Sequence, residues 1–178
     1  DHTPDLKVLE SKLTNKTKVL MLNSPNNPAG VVYSEQTLKN IVDILKKHEQ
    51  KTGNVVHIIA DEPYARLVFS GVELPKLMQM YDATWLVRSH SKDLGLAGER
   101  IGYVAWGPRL QHPQTLGMMR NSARAIGFPN APALMQRLLP HVFHSLVNIG
   151  EYERRAKRFV TILREGGMDV VEPKGSFF

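Results

Sequence analysis

The sequence contains no cysteine among its 178 residues, which excludes disulfide bonds, thiolate metal sites and a cysteine nucleophile. No apolar run approaches the roughly 20 residues needed to cross a bilayer, and residues 1–4 show no basic start followed by an apolar stretch. The chain has seven histidines. The six other than His90, which belongs to a motif described below, are not spaced as metal ligands. We therefore expect a cytoplasmic protein that binds neither a membrane nor a metal ion.

The chain carries an excess of positive charge. It has 23 basic and 17 acidic residues, a net charge of +6. The densest basic group lies in residues 151–165, where arginines and lysines alternate with glutamates at helical spacing. No recognised nucleic-acid-binding motif accompanies this group, so we interpret it as the solvated face of an amphipathic helix and predict no nucleic-acid partner.

Apolar periodicity predicts alternating helices and strands in one domain. Helices are predicted over residues 5–13, after an N-cap at Ser34, and over residues 110–122, 133–146 and 150–165. Strands are predicted over residues 18–23, 55–60, 85–89 and 101–105, with an edge strand over 170–178. Strand–helix–strand alternation favours parallel pairing. Only about a dozen residues separate the third strand from the fourth, too few for the usual parallel crossover, so we expect the fourth to run antiparallel.

Three of the predicted strands end in a polar cluster. Residues 23–30 (NSPNNPAG) follow the first strand, residues 61–64 (DEPY) follow the second, and residues 89–103 follow the third. In an open α/β sheet, ligands bind at the carboxyl ends of the strands. We therefore expect the three clusters to form one site.

The third cluster carries the most informative pattern. Lys92 follows two serines, Ser89 and Ser91, and Arg100 follows eight residues later. A lysine amine can condense with an aldehyde, and hydroxyls, backbone N–H groups and a guanidinium together can hold a phosphate dianion. A lysine in such a turn is by itself most often a solvated loop residue, but this combination suits a phosphate-bearing aldehyde cofactor.

In this order and at these separations, the three clusters resemble the fold-type I pyridoxal-phosphate enzymes, specifically the class I/II aminotransferases, over essentially the whole chain. The resemblance implies a three-layer α/β/α fold whose mostly parallel sheet carries one antiparallel strand. Family members are considerably longer, so residues 1–166 would be part of the large, cofactor-binding domain and residues 167–178 would begin the small C-terminal domain. The family's substrates are amino acids and 2-oxo acids, and its active sites form between the subunits of a homodimer.

The resemblance also implies a role for each residue that matches a family motif. Lys92 would be the catalytic amine, forming the Schiff base with pyridoxal 5'-phosphate and later moving the substrate proton. Asp61 would face the pyridine nitrogen and favour its protonated form. Asn27 and Tyr64 would hydrogen-bond the phenolic oxygen of the cofactor, and the bond from Asn27 to Pro28 would be cis.

The phosphate of the cofactor would be bound by Ser89 and Arg100, with Ser91 as a weaker candidate. We assign no catalytic role to His90, because a strand-end histidine beside a lysine motif is more often a packing residue. In the family, the glycine-rich phosphate turn lies before the region matched by residue 1, and the arginine that binds the substrate carboxylate lies beyond residue 178. We therefore expect this chain by itself to lack turnover.

Two alternatives stay open. The segment around Lys92 also resembles aminocyclopropane-carboxylate synthases and some β-eliminating lyases, which use the same cofactor. We favour transamination, because residues 61–64 and 98–103 (GERIGY) resemble the motifs of the amino-acid aminotransferases more than those of the synthases and lyases. The other alternative is a non-catalytic remnant of the fold or a basic binding module, which would not bind pyridoxal phosphate.

Overall fold

The fold is described from a computed structural model, and the description covers residues 2–175. The helices of this part are α1 (Leu6–Lys12), α2 (Glu35–Thr52), α3 (Leu77–Met80), α4 (His90–Asp93), α5 (Thr115–Ala125), α6 (Ala133–Val142) and α7 (Ile149–Glu165). The strands are β1 (Val19–Asn23), β2 (His57–Asp61), β3 (Thr84–Ser89) and β4 (Gly102–Trp106). Helices and strands alternate through the first half, which confirms the predicted α/β class.

The four strands form one mixed sheet in the order β1-β2-β3-β4. β1, β2 and β3 are parallel to one another, and β4 pairs antiparallel with β3. The prediction of a single antiparallel strand is therefore confirmed. In the register of the sheet Asn23 lies beside Asp61, and Ser89 lies beside Gly102. The polar ends of β1, β2 and β3 thus lie along one edge of the sheet.

Helix α2 supplies the main apolar face that packs on this sheet. It begins after Ser34, whose Oγ accepts a hydrogen bond from the Thr37 amide at 3.0 Å, and it ends at Gly53, which has a φ of 70° that suits glycine. Its predicted stripe is buried against strand residues such as Ile58. The stripe consists of Leu38, Ile41, Val42 and Leu45. Burial of each such side chain contributes about 1.5–3 kcal/mol, so this contact fixes the sheet against the helix.

The apolar run over residues 18–23 predicts a buried strand, but β1 is buried on one face only. β1 lies at the end of the described sheet, and the side chains of Val19 and Met21 are 48% and 65% exposed. Leu22 is buried in the core beside α2, whereas Val19 and Met21 lie on the opposite face because side chains alternate along a strand. The apolar run in the sequence could not distinguish a strand covered on one face from one covered on both.

Three predicted elements in the second half of the chain differ from the structure by more than two residues. The helix predicted from residue 110 begins at Thr115, after a 3₁₀ turn at Pro108–Leu110, because Pro113 cannot continue a helix. Helix α6 ends at Val142, two residues after Pro140. The predicted edge strand is absent from residues 170–174, and Gly175 makes only an isolated antiparallel bridge with Val68. Residues 176–178 of that prediction lie outside the described residues.

Helix α7 confirms the interpretation of the basic segment as a solvated helix face. Ala156 and Val160 are buried, while the charged side chains pair along the helix, Arg154 with Glu151 and Lys157 with Glu153 at 2.6 Å. The two basic side chains are about two-thirds exposed. Within residues 2–175, none of the helices combines the length and the apolarity that a membrane span requires.

Candidate active site at the carboxyl ends of the strands

Asn23 and Asp61 end the adjacent parallel strands β1 and β2, and their side chains meet there. The Asn23 amide nitrogen Nδ2 donates to Asp61 Oδ2 at 3.1 Å and to the Asp61 carbonyl at 3.0 Å. Burial raises the pKa of the Asp61 carboxyl, and the hydrogen bond from Asn23 partly opposes this rise. Asp61 is therefore a half-buried acceptor held in one orientation at the edge of the sheet.

Asn23 was not among the predicted site residues. Its other side-chain atom, Oδ1, accepts a hydrogen bond from the backbone amide of Asn27 at 2.9 Å. Asn23 thus connects the carboxylate at the end of β2 with the turn that follows β1. Its position as the last residue of an apolar run, one strand from a candidate carboxylate, is the signal that could have identified it.

The structure brings Asn27 and Tyr64 together, as the resemblance implied. Asn27 Nδ2 donates to the Tyr64 hydroxyl at 3.2 Å, and the Tyr64 side chain is buried while Asn27 is exposed. The bonds from Asn27 to Pro28 and from Ser24 to Pro25 are both cis, of which only the first was expected. The Asn27 amide and the Tyr64 hydroxyl form a pair of donors at the rim of the site, and their role toward a phenolic oxygen stays a prediction.

The neighbouring Asn26 has a different position. Its Oδ1 accepts a hydrogen bond from the Ala29 amide at 3.3 Å, and its backbone amide donates to the Val31 carbonyl at 2.8 Å. These contacts close the turn between β1 and α2. Asn26 therefore stabilises the turn itself.

Ser89, Ser91 and Lys92 lie at the junction of β3 with the single-turn helix α4. Ser89 is the N-cap of α4, since its Oγ accepts from the Ser91 amide at 3.1 Å. The same hydroxyl donates to Ser91 Oγ at 2.7 Å. Lys92 is exposed, and among residues 2–175 its amine has no hydrogen-bond or ion-pair partner. The structure thus combines two adjoining hydroxyls with an amine that is free to react.

Arg100 lies in the loop between α4 and β4, and the structure does not join its side chain to the two serines. The residue has a φ of 50°, and its Nη1 donates to the Ala97 carbonyl at 2.8 Å. The backbone of the next residue, Ile101, accepts from the His90 amide at 3.0 Å. Arg100 is therefore anchored near the start of α4, and its side chain is exposed.

An ion pair lies at the ends of β2 and β3. The Glu62 carboxylate accepts from Arg88 Nη2 at 2.7 Å and from Arg88 Nε at 3.1 Å, and the Glu62 side chain is only 8% exposed. Burial raises the pKa of Glu62, and the contact with Arg88 opposes this rise. Neither residue was predicted, because alternation along one strand gives no indication of a partner 26 residues away.

These strand-end clusters agree with the comparisons to known proteins. The sequence profile of the aminotransferases of class I and II matches residues 1–178. The chain belongs to this family. Family members use pyridoxal phosphate as their cofactor.

Relatives within the family are about 30% identical to this chain over the aligned residues. Kynurenine–oxoglutarate transaminase 3 of Mus musculus is 32% identical over 192 residues, covering 100% of this chain and 40% of that protein. Aromatic-amino-acid aminotransferase 2 of Thermococcus litoralis is 29% identical, covering 96% of this chain and 43% of that protein. The chain thus spans about two-fifths of the length of these curated relatives.

Solved structures of aminotransferases have the same fold. An aminotransferase from Eubacterium rectale superimposes with a TM-score of 0.91 at 35% identity, covering 97% of this chain and 44% of that one. The aspartate aminotransferase of Thermotoga maritima superimposes with a TM-score of 0.77 at 26% identity, covering 98% of this chain and 44% of that one. The mixed sheet with its one antiparallel strand is therefore the sheet of this aminotransferase fold.

Proposed function

We propose that the protein carrying this chain is a pyridoxal-phosphate-dependent aminotransferase that moves an amino group from an amino acid to a 2-oxo acid. The observation that carries the proposal is the convergence of an exposed, unpartnered Lys92 amine, two serine hydroxyls and the Asp61 carboxylate at the ends of adjacent strands. Both relatives named above are transaminases or aminotransferases, which supports transamination over the synthase and lyase alternatives.

The chemistry of the donor set fits this cofactor. When bound, pyridoxal phosphate supplies an aldehyde that condenses with an amine, losing its oxygen as water, and a ring that withdraws electrons from the adjoining carbon. Ser89, Ser91 and Arg100 offer two hydroxyls and a guanidinium for the phosphate. Asp61, held by Asn23, offers a negative charge for the ring nitrogen.

The remaining residues orient the cofactor and move a proton. Asn27 and Tyr64 offer an amide and a hydroxyl to the phenolic oxygen. Lys92 supplies the attacking nitrogen; once a substrate amine has displaced it, its free amine can accept and return the proton on the substrate carbon. The bonds formed and broken at Lys92 involve no oxidation or reduction, so no further reactant is needed.

The domain assignment is part of the same proposal. We place residues 1–166 in the large, cofactor-binding domain and residues 167–178 at the start of the small domain. The end of α7 at Glu165 and the turn at Gly167 support this boundary. We also propose a cytoplasmic homodimer, which is supported by exposed apolar side chains near α5 and α6 such as Ile126 and Leu134, 81% and 71% exposed.

The test is covalent trapping of the cofactor in the full-length protein. We expect a long-wavelength absorbance band on addition of pyridoxal phosphate, and borohydride reduction followed by peptide mapping should attach the cofactor to Lys92. A Lys92→Ala variant should lose both signals, while a Lys39→Ala variant on the exposed face of α2 should keep them. Attachment at another lysine, or no band in the wild type, would refute the proposal.

A further inference from the structure

A cluster of charged and aromatic side chains, of which two are buried, lies next to Lys92 along the chain. It consists of Arg66, His90, Asp93 and Phe143, and we refer to it as the Asp93 cluster. Asp93 Oδ2 accepts from Arg66 Nη1 at 2.9 Å and lies 3.2 Å from His90 Nδ1. The side chains of His90 and Asp93 are 2% and 5% exposed, so the carboxylate is almost wholly enclosed by its partners.

The Asp93 cluster joins three separate segments of the chain. Arg66 belongs to the turn after β2, two residues beyond Tyr64, and its Nη2 also donates to the Ser145 carbonyl at 3.0 Å. Its guanidinium lies 5.2 Å from the centre of the Phe143 ring. The Asp93 carbonyl accepts from the Val147 amide at 3.0 Å. The connection between α6 and α7, the Tyr64 turn and α4 are therefore joined through Asp93 and Arg66.

Helix α4 cannot fix its own position. It has only four residues, whereas isolated helices shorter than about 12–15 residues are marginal in water. Lys92 and Asp93 are consecutive, so their side chains leave the helix about 100° apart, since a turn takes about 3.6 residues. The inward direction of Asp93 thus determines the outward direction of Lys92.

The energetics of the cluster favour a positioning role over one in stability alone. Among residues 2–175, Asp93 Oδ1 and His90 Nε2 are buried without a hydrogen-bond partner, and such atoms cost free energy on folding. A buried ion pair is often no more stabilising than apolar residues of the same volume. The cluster is therefore less stabilising than apolar residues of the same volume would be. Its effect is to fix the orientation of α4.

We propose that the Asp93 cluster positions the Lys92 amine for attack on the cofactor aldehyde, an inference that rests on the proposed function. Arg66 and Asp93 act only through the backbone of α4 and are positioning residues. The cluster also connects the segment that carries Lys92 to the turn that carries Tyr64, so the two sides of the site are held in one arrangement.

Two cofactor forms separate positioning from simple support of the fold. Pyridoxal phosphate has the aldehyde, whereas pyridoxamine phosphate has an amine in its place and cannot condense with Lys92. In the full-length protein freed of cofactor, we would measure the rate of covalent attachment at saturating pyridoxal phosphate and the dissociation constant of pyridoxamine phosphate. Asp93→Asn keeps the shape of the side chain and removes its charge. Arg66→Lys keeps the positive charge and loses the simultaneous hydrogen bonds to Asp93 and to the Ser145 carbonyl. The control is Glu35→Gln, which breaks an exposed ion pair on α2.

For Asp93→Asn we expect covalent attachment to slow on the order of tenfold to a hundredfold, the effect of displacing a reacting group by about 1 Å. The dissociation constant of pyridoxamine phosphate should stay within about twofold of the wild-type value, since mutations at sites that do not interact change each other's effects by no more than this. Arg66→Lys should be slowed less, and Glu35→Gln should match the wild type in both measurements.

An unchanged rate of covalent attachment in Asp93→Asn would overturn the inference. So would a loss of pyridoxamine phosphate affinity by the same factor as the loss of attachment rate. If Asp93→Asn does not fold, Arg66→Lys carries the test, because it keeps a positive charge beside the buried Asp93 carboxylate. Failure of every cluster variant to fold would assign the cluster to stability and refute positioning. A wild-type protein that forms no bond at Lys92 would instead overturn the proposed function.

Discussion

Replacing Gly102 with alanine should push apart β3 and β4, the strands that precede and follow Lys92 in the chain. Gly102 pairs with Ser89 across β3 and β4, and a Cβ atom at this position would lie 2.3 Å from the Arg88 carbonyl oxygen and 3.0 Å from Ser89 Cα. Ordinary contact begins near 3.4 Å, so the carbonyl would have to retreat by about 1.1 Å. Both neighbouring atoms belong to the backbone and cannot rotate away.

The expected cost follows from that displacement. An extra carbon in a packed region costs about 1–3 kcal/mol, and alanine recovers about 0.5–1 kcal/mol because it has less backbone freedom to lose than glycine. Because the close atoms are backbone, the upper part of the first range applies, about 2–3 kcal/mol. We therefore expect Gly102→Ala to lower the free energy of unfolding by about 1–2.5 kcal/mol. Because Ser89 caps α4, the variant should also slow attachment of the cofactor at Lys92.

Gly117→Ala is the matched control. Gly117 lies inside α5, and nothing lies within 4 Å of the position that its Cβ would occupy. Alanine in a helix is favoured over glycine by about 1 kcal/mol, so this variant should be stabilised. Urea unfolding of the three proteins, with a shared slope, measures both changes. A Gly102→Ala protein as stable as the wild type would refute the reasoning from close approach.

The other predictions concern the core, a helix cap and an exposed carboxylate. Leu45→Ala removes a side chain that is 0% exposed in the core and should cost about 2–5 kcal/mol in urea unfolding, whereas Val8→Ala, at a 51% exposed position on α1, should change stability by less than about 0.5 kcal/mol. Ser34→Ala removes the cap of α2 and should cost about 1 kcal/mol; a thermal midpoint equal to that of the wild type would contradict this assignment. Hydrogen bonds from Lys157 and then from Ser70 lower the pKa of Glu153 from 4.5 to about 2. The stability that this carboxylate contributes should therefore be complete above pH 4.5 and disappear as the pH falls toward about 2. The difference in thermal midpoint between the wild type and Glu153→Gln should narrow over that range, and a constant difference would show that Glu153 does not titrate as described.

Local patterns along the chain determined much of this structure. The stripe on α2 and the cap at Ser34 follow from helical periodicity and from a hydroxyl at the right place, because both act within a few residues. The antiparallel direction of β4 follows from chain length alone, since a short connection cannot return to the other end of β3. The three polar clusters met at one edge because strands that are parallel place their carboxyl ends together.

Contacts between distant segments were decided only by the tertiary structure. The hydrogen bond from Asn23 to Asp61 depends on the register of two strands, and the ion pair of Arg66 with Asp93 joins residues 27 positions apart. The exposed face of β1 depends on what covers the sheet, which an apolar run does not encode. Sequence patterns therefore predicted which residues carry the chemistry, whereas the side chains that contact them from other segments became visible only in the tertiary structure.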